Sequence, residues 1–307
     1  MKKLIAILSA AVAVCSAVPF TASAAADELT YIPTLYFKGE QSDSIDVLPN
    51  GVLYANTKSG KTLKASAKAF IKDDCLRAGQ IVVKWVWNDD NVTLSNIQDP
   101  ISAGTLAPYK GYASASDIGL NDSYDQKMIG VSYQSAEGVN PLAPTGETSD
   151  AYPLAVFDVN VSSSAPADYY NIAFKTEQPN VSSISYRLSK EAADRREGDA
   201  KGMDIRDIRP SGDNAKPLIV AVSDRMLGDV NNDKTIDAKD ASLILKDYAL
   251  RSANQPSIFT KEQLVAADLN GDIKSDSRDA SRVLGYYAYI STDAGNGTSL
   301  IDYLYKN

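Results

Sequence analysis

The clearest signal in the chain is a two-residue rhythm. Across residues 62–71, Leu63, Ala65, Ala67, Ala69 and Ile71 alternate with Lys64, Ser66 and Lys68. Successive side chains of a strand point to opposite faces, so this spacing predicts a strand with one buried and one wet face. Phe157, Val159 and Val161 alternate in the same way with Asp158 and Asn160. Short apolar, β-branched and aromatic runs bounded by turn residues predict further strands at 35–37, 51–54, 81–87, 128–133, 171–175, 183–188 and 218–222. No long helical period lies among them. The pattern predicts an all-β domain, a two-sheet sandwich or jelly roll. The charged stretch 191–207 interrupts it and is expected to be a loop or insertion. After Met226 the pattern changes to acidic loops followed by short helices of about ten residues. The boundary is expected within 224–228, with almost no linker.

The first residues read differently from the rest. Lys2 and Lys3 precede the apolar run 4–18, and Ala22-Ser23-Ala24 supplies a signal-peptidase pattern, so residues 1–24 are expected to be a signal peptide and the protein to be secreted. Val14 stands before Cys15 where lipid attachment wants a small side chain, which argues against a lipoprotein. Removing the signal leaves Cys75 without an internal disulfide partner. No later stretch approaches the roughly 20 apolar residues of a membrane helix, so membrane insertion is not expected. Without Lys2 and Lys3, 29 basic residues face 39 acidic ones, a net charge of -10 that repels nucleic acid. The chain has no histidine. That excludes Ser-His-Asp and Cys-His nucleophile systems and His-ligated metals, leaving acid/base chemistry to carboxylates.

Two acidic loops stand out in the last quarter. Residues 229–242 read "DVNNDKTIDAKDAS" and residues 268–281 read "DLNGDIKSDSRDAS", an offset of 39. Counted from Asp229, oxygen ligands fall at positions 1 (Asp229), 3 (Asn231), 5 (Asp233), 9 (Asp237) and 12 (Asp240). The second loop repeats them as Asp268, Asn270, Asp272, Asp276 and Asp279. This is EF-hand spacing, with Thr235 and Lys274 as backbone-carbonyl donors at position 7, and it suits calcium better than magnesium because calcium accepts 6 to 8 oxygens at flexible geometry. Like charges so close repel unless a cation lies among them. A solvated Asp-rich turn would explain one loop, but the offset also matches Ala241 with Ala280, Ser242 with Ser281, Leu245 with Leu284, Tyr248 with Tyr287 and Ala249 with Ala288.

A duplicated loop followed by one helix, with "DAS" after each loop and a Thr260-x-x-Gln263 capping box between the halves, resembles the dockerin module of cellulosome-type complexes over residues 228–289. The resemblance implies two calcium ions and docking onto a cohesin module of a scaffoldin protein. It also implies that Ala238, Lys239, Ser277 and Arg278, with Leu245 and Leu284 on the following helices, face that partner. The chain departs from the pattern at position 6, where Lys234 and Ile273 replace glycine. At position 8 it carries Ile236 in the first loop and Ser275 in the second, so the second site is expected to be the weaker.

The segment 152–177, "YPLAVFDVNVSSSAPADYYNIAFKTE", with "AGQIVVKWVW" upstream, is similar to parts of a cohesin module. Three function classes follow for residues 25–224. A cohesin-like receptor for another dockerin would make the protein an adaptor, and a carbohydrate-binding module would hold a polysaccharide. A glycoside hydrolase would need a carboxylate pair across a cleft, and nothing in Asp43, Asp46, Asp73, Asp74, Asp89 or Asp90 marks one. Trp85 and Trp87 could stack on sugar rings, but share a strand face with Ile81 and Val83, which favours the core. Tyr109 and Tyr112, in a loop-like segment, are the other stacking candidates. The expected organisation is therefore a signal peptide (1–24), a β-sandwich (25–224) and a small all-α dockerin with a C-terminal tail (225–307). The whole is expected to be a non-catalytic extracellular subunit of a cell-surface-attached complex.

Overall fold

The computed structural model describes residues 27, 29–72, 78–87, 89–98, 112–113, 127–135, 153–177 and 181–306. The signal segment 1–24, both cysteines, Tyr109, Asp73 and Asp74 lie outside the described residues. In chain order the strands are β1 (Thr34–Gly39), β2 (Ile45–Val47), β3 (Leu53–Asn56), β4 (Leu63–Lys72), β5 (Ala78–Trp87), β6 (Val92–Gln98) and β7 (Tyr112–Ala113). They continue as β8 (Lys127–Ser135), β9 (Ala155–Val161), β10 (Asp168–Phe174), β11 (Ser183–Arg187), β12 (Ile205–Ile208) and β13 (Leu218–Ser223). A short helix α1 (Lys190–Asp194) precedes β12, and α2 (Ala238–Ser252), α3 (Lys261–Ala266), α4 (Ser277–Ile290) and α5 (Leu300–Lys306) follow β13. Among the described residues no helix is long and apolar enough to cross a membrane.

The strands form two sheets. One has the order β1-β4-β9-β6, antiparallel throughout. The other runs β12-β11-β5-β10-β13-β3-β2, with β8 paired along β5 and β7 on β8. Only the β13–β3 pair among these is parallel. Leu63, Ala65, Ala67, Ala69 and Ile71 of β4 and Phe157, Val159 and Val161 of β9 point inward, as their alternation predicts, and meet Ile81, Val83, Trp85 and Trp87 of β5 and Ile172 and Phe174 of β10. Phe37 stacks on Phe174 with ring centroids 4.2 Å apart and meets Trp85 edge-on at 6.2 Å. Trp85 and Trp87 are thus core residues, buried at 0% and 4% exposure. Four successive inward positions on an interior strand are apolar, so neither indole is available to a sugar, and both are corrected as carbohydrate-binding candidates.

The stretch 191–207 is not simply a loop. It carries most of α1, capped by the Ser189 hydroxyl, and the start of β12, which pairs with β11 at the sheet edge. A short strand with Arg206 and Asp207 at its centre suits an edge because its length and charges discourage further pairing. β2 and β6 were likewise not anticipated. β2 has three residues, too few to show a period, and the alternation of β6 breaks where Asn96 takes φ 50° and the register with β9 shifts.

A second apolar core lies on the opposite face of the larger sheet. Leu48, Val52, Tyr54 and Ala221 of the sandwich pack with Leu227, Val230, Ile244, Phe259, Val265, Leu269, Val283 and Leu300 of the helical module. β13 is therefore covered on both faces, which explains why its sequence, LIVAVS, is a nearly continuous apolar run. Tyr54 is fully buried there and donates its hydroxyl to the Arg225 carbonyl at 2.9 Å. The Ser223 hydroxyl donates to the Glu262 carbonyl at 3.0 Å.

α2 and α4 have 15 and 14 residues, longer than expected. Asp237 and Asp240 form a capping box at the start of α2, and Asp276 and Asp279 repeat it on α4. The Thr260–Gln263 capping box opens α3 as its spacing predicts. α2 ends where Asn254 takes a left-handed φ of 57°, with the Asn254 and Gln255 amides donating to the Arg251 and Leu250 carbonyls. That is the Schellman arrangement, and asparagine tolerates its backbone better than most residues.

Candidate metal centre and docking face

The two loops share one framework of hydrogen bonds. In the first, the Asp233 and Lys234 amides donate to the two oxygens of Asp229 at 3.1 and 2.9 Å. In the second, the Asp272 and Ile273 amides do the same to Asp268, also at 3.1 and 2.9 Å. The side-chain oxygens of Asn231 and Asn270 accept from Asp233 and Asp272 at 2.8 Å. Position 12 ties the loop ends together. Asp240 accepts from Asn231 and Asp237, and Asp279 from Leu269, Asn270 and Asp276. Thr235 and Lys274 follow the position-6 residues, and their amides donate to Asp233 and Asp272.

Position 6 keeps the sharp turn without glycine. Lys234 and Ile273 hold φ of 69° and 65°, in the left-handed region. Such a backbone costs an L-residue about 1–2 kcal/mol, so each loop carries local strain that its hydrogen bonds must offset.

The charge distribution is uneven. Asp229, Asp240, Asp268 and Asp279 are all buried, and among the described residues none pairs with a lysine or arginine. Burial pushes the Asp240 carboxyl up, that of Asp268 up to about 6 and that of Asp279 up to about 7. The basic residues at position 11 lie instead over the outer carboxylates. The Lys239 ammonium is 3.5 Å from both Asp233 and Asp237, and Arg278 pairs with Asp272 and, at 2.9 Å, with Asp276. Among the described residues no three acidic, cysteine or histidine side chains are gathered as a ready metal cluster. The donor set is a mixed one of carboxylate, Asn amide and main-chain oxygens. All-oxygen donors, with buried carboxylates that no lysine or arginine neutralises, fit a hard cation such as calcium.

The sandwich touches both loops, which was not foreseen from sequence. Lys58 donates to the Asn232 side chain at 2.7 Å, and Asn50 donates to the Gly271 carbonyl at 2.7 Å. Asn232 and Gly271 are the matching position-4 residues, with φ of 62° and 71°. The Tyr169 hydroxyl donates to Asp268 at 2.8 Å, and Lys261 pairs with Asp168. Burial, then the Asp268 charge, pushes the Tyr169 hydroxyl far above its ordinary value, so it remains a donor.

The helices divide into two faces. Ala241 and Ile244 of α2 and Ala280, Val283 and Tyr286 of α4 are buried in the second core. Leu245 and Leu284 are 41% and 42% exposed, and Tyr248 and Tyr287 are exposed beside them. Ala238, Lys239, Ser277 and Arg278 are exposed at the helix starts. The repeated apolar positions thus separate into an inward set and a duplicated outward patch. Tyr112 begins β7, and Tyr109 lies outside the described residues.

These features define a duplicated acidic loop–helix module seated on a β-sandwich. Residues 227–286 match the family described as the dockerin type I domain. Among solved structures, the chain is similar to the seventh ScaB type I cohesin from Pseudobacteroides cellulosolvens, at 10% identity over 61% of this chain and 94% of that one, with a TM-score of 0.31. It is also similar to a type III cohesin module from the ScaE cell-surface anchoring scaffoldin of Ruminococcus flavefaciens, at 11% identity, 62% and 87% coverage and a TM-score of 0.32. A fimbrial subunit, AggA from Escherichia coli, stands at 9% identity, 63% and 97% coverage and a TM-score of 0.27. No curated protein matches the sequence.

Proposed function

We propose that the chain is a secreted, non-catalytic subunit of a cellulosome-type complex, attached by its C-terminal dockerin to a cohesin of a scaffoldin protein. The observation that carries this reading is the double duplication: two loops with the same oxygen-bearing residues at the same positions, the first and last of them buried, each followed by a helix with the same outward Leu/Tyr pair. Asp229, Asn231, Asp233, Asp237 and Asp240, with the Thr235 carbonyl, would hold one calcium ion. Asp268, Asn270, Asp272, Asp276 and Asp279, with the Lys274 carbonyl, would hold the other. The ion supplies the positive charge that the buried carboxylates lack, and so free energy for folding the module. The outward patch is the docking face. Its basic residues, Lys239 and Arg278, occupy matching places, so a half-turn exchanging the two halves presents similar chemistry to an acidic cohesin rim and permits two docking orientations.

For the sandwich we favour a cohesin-like adaptor role, with a second dockerin as its partner. Polysaccharide binding is less favoured because Trp85 and Trp87 are buried, and among the described side chains of the sandwich no aromatic is exposed. The test is capture of the full chain on immobilised type I cohesins. Leu245→Asp or Leu284→Asp alone should weaken capture modestly and the pair should abolish it. Undiminished capture of the paired variant would refute the docking face.

A further inference from the structure

We infer that Tyr169 of the sandwich is a positioning residue for the second calcium loop, so that this site, unlike the first, is completed across the module boundary. The inference rests on the proposed reading of the loops as calcium sites. In both loops the first ligand has one oxygen held by the position-5 amide and the other by the position-6 amide. Among the described residues, only in the second does a further donor join them. The Tyr169 hydroxyl reaches the same Oδ2 of Asp268 that accepts from Ile273. Among the described residues, no side chain of the sandwich does this for Asp229. Two donors on Oδ2 fix the rotation of the carboxylate and so fix where Oδ1 points within the loop.

The placement of Tyr169 is itself determined by the strand. Along β10, Tyr170 turns into the sandwich core and donates to the Pro166 carbonyl at 2.8 Å. Its neighbour must therefore face the opposite side, toward the helical module. β10 is paired with both β13 and β5, which makes it a stiff support. Asn50 reinforces the seat by holding the Gly271 carbonyl, and a side chain at Gly271 would collide with it. The loop that receives this help is the one whose own sequence is poorer, with Ser275 in place of the apolar position-8 residue and a β-branched residue in the left-handed turn.

The test is Tyr169→Phe in the full chain, with calcium ion itself as the probe in titration calorimetry. In an Asp240→Ala background, where the second loop alone titrates, the substitution should weaken calcium binding about tenfold, as loss of an outer partner of a metal ligand commonly does. In an Asp279→Ala background, where the first loop alone titrates, it should leave binding unchanged. The melting temperature in excess chelator should move less than that in calcium. Equal losses in both backgrounds, no loss in either, or an equal fall in melting temperature with and without calcium would overturn the inference and reduce Tyr169 to an ordinary packing residue. Failure of the unmodified chain to take up calcium would overturn the reading of the loops, and this inference with it.

Discussion

Gly271→Ala probes the seat of the helical module on the sandwich. Gly271 has φ of 71°, and a β-carbon there would lie 2.6 Å from both the nitrogen and the oxygen of the Asn50 side chain. Alanine in the left-handed region costs about 1–2 kcal/mol, offset by up to about 1 kcal/mol from a less flexible unfolded chain. Displacing Asn50 removes its 2.7 Å bond to the Gly271 carbonyl, worth about 1 kcal/mol, and disturbs its 3.2 Å contact with the Val52 amide. The total loss should be about 2 kcal/mol. Asn50→Ala alone should lose about 1–1.5 kcal/mol by the same bonds. Once Asn50 is gone the new methyl has room, so the double variant should lose about 1 kcal/mol less than the sum of the singles. That exceeds the ~0.5 kcal/mol expected of independent sites. Urea unfolding of the four proteins in saturating calcium measures the coupling. Additive losses would mean that the loop and the Asn50 turn do not touch, and the packing of module on sandwich would be refuted.

Two further outcomes are expected. Ser275 is buried and its hydroxyl has no partner among the described residues, so Ser275→Ala should stabilise the calcium-loaded module by about 1 kcal/mol, visible as a raised melting temperature; a lowered one would mean the hydroxyl is engaged. The second outcome is a reversal of pH dependence. Asp268 and Asp279 titrate at about 6 and about 7 in the folded chain, above the ordinary 3.8. Their protonation therefore stabilises the metal-free fold fully below about pH 4, and the effect is lost as pH rises through both values. In chelator the melting temperature should fall between about pH 5.5 and about pH 7.5. In calcium it should rise, because the ion requires both carboxylates ionised. The same direction in both conditions would contradict the placement of these groups around the ion.

What was legible in the sequence was mostly what is local. The period-two strands follow from side chains alternating about a pleat, and the loops from ligand spacing that a twelve-residue turn imposes on its own. The start of α3 was legible because Thr260 and Gln263 satisfy each other's amides three residues apart, whereas Asp237 and Asp276, read as ligands, also cap α2 and α4. What stayed hidden depends on partners distant in the chain. The alternation of Tyr170 with Ile172 and Phe174 turns Tyr170 inward and Tyr169 outward, but nothing local shows that Asp268 lies beyond Tyr169. Asn50 looks like any turn asparagine until Gly271 arrives beside it. The LIVAVS run of β13 did carry a signal, since a strand apolar at nearly every position must be covered on both faces. Residues 25–224 and 225–307 are accordingly less separable than the change in pattern at Met226 suggests. Leu48, Val52, Tyr54 and Ala221 would be laid bare if the helical module were removed.

The central claim, a dockerin held together by calcium, is tested most directly by the number of calcium ions bound per chain. Titration calorimetry of the chelator-stripped, full-length protein should give two ions per chain, with proton release that grows as pH falls from about 7.5 toward about 6. The Asp240→Ala, Asp279→Ala double variant should bind none. An unmodified chain that takes up no calcium, or a double variant that still binds two ions, would contradict the account.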